Sequence, residues 1–156
     1  GDAVDAGTIT LEPGLWSLSN FGQVLVATIA NGKTFTWDSS IAANFTTRAS
    51  KTTTNFSTAI SGSLGNPTAS RTTLISPTTR HLIHFGTETT IGDPTTQDDM
   101  FIRFSDQESI NDYTPTAINS AGSQRLQDGT KIMGALIAKE NILVLLDLNK
   151  WVRTVD

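Results

Sequence analysis

Hydrophobic positions in this chain fall in short runs, and the runs come in pairs. Residues 22–38 read GQVLVATIANGKTFTWD, residues 81–106 read HLIHFGTETTIGDPTTQDDMFIRFSD, and residues 131–147 read KIMGALIAKENILVLLD. Each is an apolar run, a polar or glycine-bearing turn, a second apolar run and then an aspartate. Alternation with a period of two sends successive side chains to opposite faces of a strand, so each segment reads as a β-hairpin with an acidic stop. A unit repeated along a chain predicts stacked sheets, and it points to a scaffold or binding role before it points to catalysis.

The same pattern predicts the individual elements. Thr8–Glu12 is a short strand closed by the Pro13-Gly14 turn pair, and Leu15–Leu18 is a second strand. Val24–Ile29 is apolar enough to be buried. Asn31-Gly32 is a hairpin turn, because both residues tolerate positive φ. Thr34–Asp38 returns with Phe35 and Trp37 on one face and the threonines on the other, so the aromatic face is expected to pack into the core. Arg71–Ser76, Leu82–Phe85 and Met100–Phe104 are further strands. Gly122–Gly129 reads as a turn region. Lys131–Ala138 and Ile142–Leu148 form the last hairpin, turned by Lys139-Glu140-Asn141. The hairpin units therefore lie near 15–38, 71–106 and 122–148. Residues 39–70 are rich in Ser, Thr, Ala, Gly and Asn, with the hydrophobics Phe45, Phe56, Ile60 and Leu64 widely spaced. They read as a long loop, of a length that is unusual unless it carries a function or packs on a neighbouring chain. No window sustains a helical period, and the expected class is all-β, built of antiparallel hairpin or meander units.

Composition agrees. The chain has 156 residues, which fits a single all-β domain or a fragment of a larger one. It contains 25 Thr and 14 Ser, and β-branched threonine suits a pleated, half-exposed surface. The net charge of −4 comes with scattered Lys and Arg, so no nucleic-acid partner is expected. No stretch of 18 apolar residues predicts a membrane helix. The opening GDAVDAGTIT has neither a basic region nor an apolar core and is not expected to be a signal peptide. Cysteine is absent, which excludes disulfides, thiolate zinc sites and cysteine nucleophiles.

Few residues invite chemistry. His81 and His84 form an HxxH pair, but three positions apart on a strand they point to opposite faces and cannot share one ion without a bulge. Each is expected to be half-exposed and hydrogen-bonded. Asp93, Asp98, Asp99, Asp106, Glu108 and Asp112 are the densest charge, yet their spacing matches no calcium loop, and they read as solvated loop charges. No nucleophile elbow and no phosphate-binding glycine loop occurs. Trp151, between Lys150 and Arg153, is the ring most expected to be exposed. Asn44 and Asn55 sit in glycosylation sequons that mean little without a secretory signal. No catalytic, cofactor-binding or metal-binding residue is nominated, and no cofactor or small-molecule substrate is expected.

Residues 16–38, WSLSNFGQVLVATIANGKTFTWD, resemble a hairpin that recurs in tailed-bacteriophage virion proteins, where it precedes a long Thr/Ser/Ala-rich excursion. The similarity continues through TLISPTTRHLIHFG (73–86), FIRFSDQE (101–108), YTPTAINSAGSQR (113–125) and the run from Gly129 to Asp147. Such proteins look like β-propeller components of phage tails or necks. The resemblance implies a non-enzymatic virion structural or assembly protein. Its contacts would be with other virion subunits or with itself, and it would be assembled in the host cytoplasm. It transfers no catalytic residues. Three units cannot close a propeller, which takes at least about four blades. The spacing is also uneven, 68 residues from Asp38 to Asp106 and 41 from Asp106 to Asp147. The units are therefore expected to be an incomplete set of blades with open edges that invite self-association, or a β-sandwich. The alternative functions are a carbohydrate-binding β module using exposed rings and, last, a glycoside hydrolase.

Overall fold

The computed structural model describes residues 14–40, 50–51, 66–127, 129–139, 141–147 and 151–155, with backbone alone at 50–51 and 151–155. The predicted strand Thr8–Glu12 and residues 41–49 and 52–65 of the long loop lie outside them.

The fold is all-β and antiparallel. β1 (Trp16–Phe21), β2 (Val24–Ile29), β3 (Thr34–Asp38) and β4 (Ser50–Lys51) form a first meander. β5 (Thr72–Ile75), β6 (Leu82–Phe85), β7 (Phe101–Phe104) and β8 (Gly122–Arg125) form a second, and β9 (Ile132–Ala138), β10 (Asn141–Leu146) and β11 (Trp151–Val155) a third. Within each sheet, strands adjacent in sequence are adjacent in space. A single 3-10 turn at Pro94–Thr96 is the one helical element among the described residues.

The turns explain the registers. Phe21 pairs with Val24 around Gly22, which takes a φ of 61° that a side chain would resist. Ala138 pairs with Asn141, so the last hairpin turns in two residues and Asn141 belongs to the strand; Lys139 carries the positive φ, 56°.

The first strand of each sheet lies innermost in the stack, with β5 against β1 on one side and β9 on the other. The middle sheet is covered on both faces. Leu82 packs with Val26 and Ile75 towards the first sheet. Ile83, Phe85, Met100 and Ile102 pack with Ile132, Ile142, Val144 and Leu146 towards the third. All four residues of β6 are therefore buried, as a continuous apolar run between two layers requires.

Two expectations are corrected here. Gly122–Arg125 is not a turn and does not open the third unit. It is the outer strand of the middle sheet, paired with β7. Ser123, Gln124 and Arg125 are exposed on that edge, so no alternation marks them. Glycine is needed at its start because a Cβ on Gly122 would lie 2.9 Å from the Phe104 ring. The long loop also contains order. β4 pairs with β3 inside it, and Asn66 and Ser70 near its end are buried.

Candidate functional site

The two seams of the stack differ in chemistry, and the seam between the first and second sheets is polar. Thr28 pairs across the first sheet with Thr34. The Thr28 Oγ1 lies 2.8 Å from the hydroxyls of both Thr34 and, on the next sheet, Thr73. Ser17 Oγ accepts from the Thr73 amide at 3.2 Å. The buried face of the first sheet is thus its threonine face. Phe35 and Trp37 pair opposite Ala27 and Leu25 and point away from the middle sheet. Both are only partly buried. The expected inward aromatic face is reversed, because hydroxyls that satisfy one another can be buried while the aromatics form the outer surface.

His84 continues this seam and has no exposed surface. The half-exposed reading of His84 fails because β6 is covered on both sides, so facing away from one layer means facing another. Its Nδ1 lies 2.8 Å from Ser70 Oγ and its Nε2 2.7 Å from the Tyr113 hydroxyl. Ser70 Oγ is 3.2 Å from Thr87 Oγ1, which donates to the Ala69 carbonyl at 2.8 Å. Tyr113 also reaches the Ile110 carbonyl at 3.3 Å. Burial, and secondarily the Arg103 charge, pushes the His84 pKa down to about 3, so the ring is neutral. Burial pushes the Tyr113 phenol well above its usual range, against the opposing pull of Arg103. A neutral imidazole has one N–H. If Nδ1 carries it, every proton points from Tyr113 through His84, Ser70 and Thr87 to Ala69. If Nε2 carries it, Tyr113 donates to Ile110 and Ser70 donates to the ring. Both arrangements satisfy the imidazole.

Arg103 pairs opposite His84 on β7 and is 6% exposed. Its Nη2 donates to the carbonyls of Thr89, at 2.8 Å, and Glu88, at 3.4 Å, while its Nε has no partner. Burial lowers its pKa, and the Glu88 charge works against that. Glu88 is itself fully buried and accepts from Thr68 N at 2.6 Å, Thr68 Oγ1 at 2.5 Å and Gly92 N at 2.9 Å. Ser70, His84 and Tyr113 have no exposed surface and line neither of the cavities described below. The serine–histidine contact is thus closed to substrate in this structure and braces Ser70, whose backbone bonds to Asn31 and Gly32 in the β2–β3 turn of the first sheet. A polar residue at the same level in two paired apolar strands, His84 in LIHF and Arg103 in FIRF, was the sequence signal for it.

The other nominated residues do not converge. His81 donates its Nδ1–H to the Ser105 carbonyl, 2.7 Å away, and meets the Phe104 ring edge-on. It shares nothing with His84. Asp93 caps the 3-10 turn through Thr95. Asp98 accepts from Met100 N and from Arg125 Nε at 2.7 Å. Glu108 pairs with Arg80, whose guanidinium lies over the Phe21 ring. Among the described residues no three His, Asp or Glu side chains gather as a metal would require.

The three aspartates that end the hairpins share one job. Asp38 accepts from Ser40 N and Oγ. Asp106 accepts from Ser120 N and Oγ and from Gln107 N. Asp147 accepts from Thr130 N and Oγ1 and from Lys131 N. In each, these hydrogen bonds hold the carboxyl below its usual pKa range. The acidic stop is a clamp on a loop segment: just after the strand at Asp38, both after it and 14 residues on at Asp106, and before the hairpin at Asp147.

The surface features are apolar. An open cavity of about 650 Å³ is lined by Leu18 and Leu25, by Leu74 to Pro77 at the end of β5, and by Arg80 and Ile137. A second, of about 240 Å³, lies at the start of the inner strands and is lined among others by Leu15, Trp16, Asn31, Arg71 and Met133. Trp16 is 52% exposed and leans on Phe35 at 6.0 Å. The Trp151 side chain, Asn44 and Asn55 lie outside the described residues. Compared with known families, curated proteins and solved structures, the chain matches none.

Proposed function

We propose that the protein is a non-enzymatic structural or assembly subunit of a tailed-phage virion, acting through contacts between sheets. The virion setting is inferred from the hairpin resemblance. The mode of action is supported by one observation: large apolar side chains stand exposed in succession on one face of a strand, Trp16 at 52% and Leu18 at 62% on β1. Isolated exposed hydrophobics are ordinary, but a row of them on one sheet face marks an interaction surface. The reading is tested in the genome and the particle. The gene is expected beside portal, capsid or tail genes, and mass spectrometry of purified particles is expected to find the protein at fixed stoichiometry. Particles that lack it and assemble normally after its deletion overturn the proposal.

A second reading, a carbohydrate-binding module, is favoured by the half-exposed Trp16 ring beside Asn31 and Arg71 in the smaller cavity. It expects glycan-array binding that Trp16→Ala abolishes. A glycosidase needs two facing carboxylates, and neither cavity has an Asp or Glu in its lining.

A further inference from the structure

The stack has two end faces. One is the outer face of the first sheet, with Trp16, Leu18, Phe35 and Trp37. The other is the outer face of the third sheet, where Leu136 and Leu145 are 43% and 40% exposed. β1, β2, β9 and β10 contain no charged residue. On the first of these faces Trp16 and Leu18 also line the two cavities, whose other walls come from β5 and β9.

We infer that these faces are the two halves of one interface: the first sheet of one copy seats on the third sheet of a second copy, and the reverse, closing six sheets into a ring. This rests on the reading of the protein as an assembly subunit. Three observations commit it to a second copy. Within the chain each sheet receives the next on its far face, with β1, β5 and β9 side by side, and a second copy continues that succession at both ends at once. Over β1, β2, β9 and β10 both faces are uncharged, so this part of each is an adequate partner for the other, with no complementary charge needed. Size then selects closure over an open chain. A face of three strands, five to seven residues long, covers about 300 Å². A single contact of that area falls well short of the roughly 800 Å² per partner of a standard stable interface, whereas the two contacts of a ring give about 600 Å² per copy, the lower edge of that range. Six sheets also lie within the roughly four to eight that closed propellers use.

The full chain is examined by sedimentation equilibrium from about 1 to 100 μM, with Leu18→Asp and Leu145→Asp as single variants and far-UV circular dichroism to verify their folding. The expected result is a species of twice the 16.7 kDa chain, whose dissociation constant rises more than tenfold in each variant, since either aspartate is driven into an apolar contact. A monomer throughout the range overturns the inference. So does a variant that dimerises normally, because that means the dimer is made by one face meeting itself. Open-ended growth beyond two copies overturns it too. If the chain is monomeric yet present in virions, the inference fails and the proposed function stands. If it dimerises as expected but is absent from virions, the inference stands and the proposed function fails.

Discussion

The seams on the two sides of the middle sheet join similar meanders by opposite means. Towards the third sheet the contact is Ile83, Phe85, Met100 and Ile102 against Ile132, Ile142, Val144 and Leu146, with Leu126 beside them. Towards the first it is threonine on threonine, with His84, Ser70, Tyr113 and Thr87 behind a small apolar group around Val26. Apolar contact is non-directional and its strength follows area. Hydrogen bonds add little net stability but cost more when one partner is removed. The apolar seam therefore holds the stack together. The polar seam fixes how the first sheet is placed, since any slip leaves buried hydroxyls unpaired.

The largest expected effect lies in the apolar seam. Phe85→Ala leaves a cavity between the second and third sheets and is expected to cost about 3–5 kcal/mol in urea unfolding. A loss below that of the polar-seam variants would remove the distinction.

The next breaks the polar seam with acid. The folded His84 pKa is depressed to about 3, against 6.5 in an unfolded chain. Its neutral form is favoured by folding, so the contribution is complete above pH 6.5 and is lost as the pH falls towards 3. One proton is taken up on unfolding in that window, which gives a slope of about 1.4 kcal/mol per pH unit. Asp38, Asp98, Asp106 and Asp147 have pKa values lowered from 3.8. Their contributions are complete above that value and are lost below it, so between pH 6 and 4.5 they stay ionised in both states. Stability measured across pH 6–4.5 is expected to fall in the wild type and to flatten in His84→Gln. Equal slopes would mean that the buried imidazole is not the group responsible.

A smaller effect sharpens the same seam. Tyr113→Phe removes the hydroxyl 2.7 Å from His84 Nε2 and is expected to cost about 1–3 kcal/mol, the penalty of an unpaired buried group. Nitrogen chemical shifts of the ring should then report the Nδ1-protonated tautomer, which still donates to Ser70, because an Nε2–H would be left without an acceptor.

The smallest and most diagnostic comparison uses the threonine trio. Thr73→Val alone is expected to cost about 1 kcal/mol by leaving Thr28 Oγ1 with Thr34 as its one partner of the trio, whereas replacing Thr28, Thr34 and Thr73 together by valine restores most of that loss. Additive losses in calorimetry would show that the hydroxyls act independently and do not form a network.

Much of the strand layout was legible in the chain. Val24–Ile29, Thr34–Asp38 and Leu82–Phe85 stand where their apolar patterns predict, because alternation and turn residues are local. Gly122–Arg125 was illegible, since an exposed edge strand has no apolar pattern and owes its shape to β7. The polar seam was legible only as His84 and Arg103 interrupting two apolar strands; its partners were not. His84 meets Ser70 from 14 residues away and Tyr113 from 29, and Thr28 meets Thr73 from 45. The three terminal aspartates were visible as a repeat, but their role as clamps on Ser40, Ser120 and Thr130 was not.

The amino-acid sequence by itself determined that this protein is built from antiparallel hairpins, that no window sustains a helical period, and where most strands begin and turn. Those properties follow from side-chain periodicity and from backbone freedom at single residues. The tertiary structure alone decided which face of each strand is buried. A strand offers two faces, and only the layer packed against it determines whether threonine or tryptophan turns inward. For the first sheet that layer could satisfy hydroxyls, and the aromatic face was left outside.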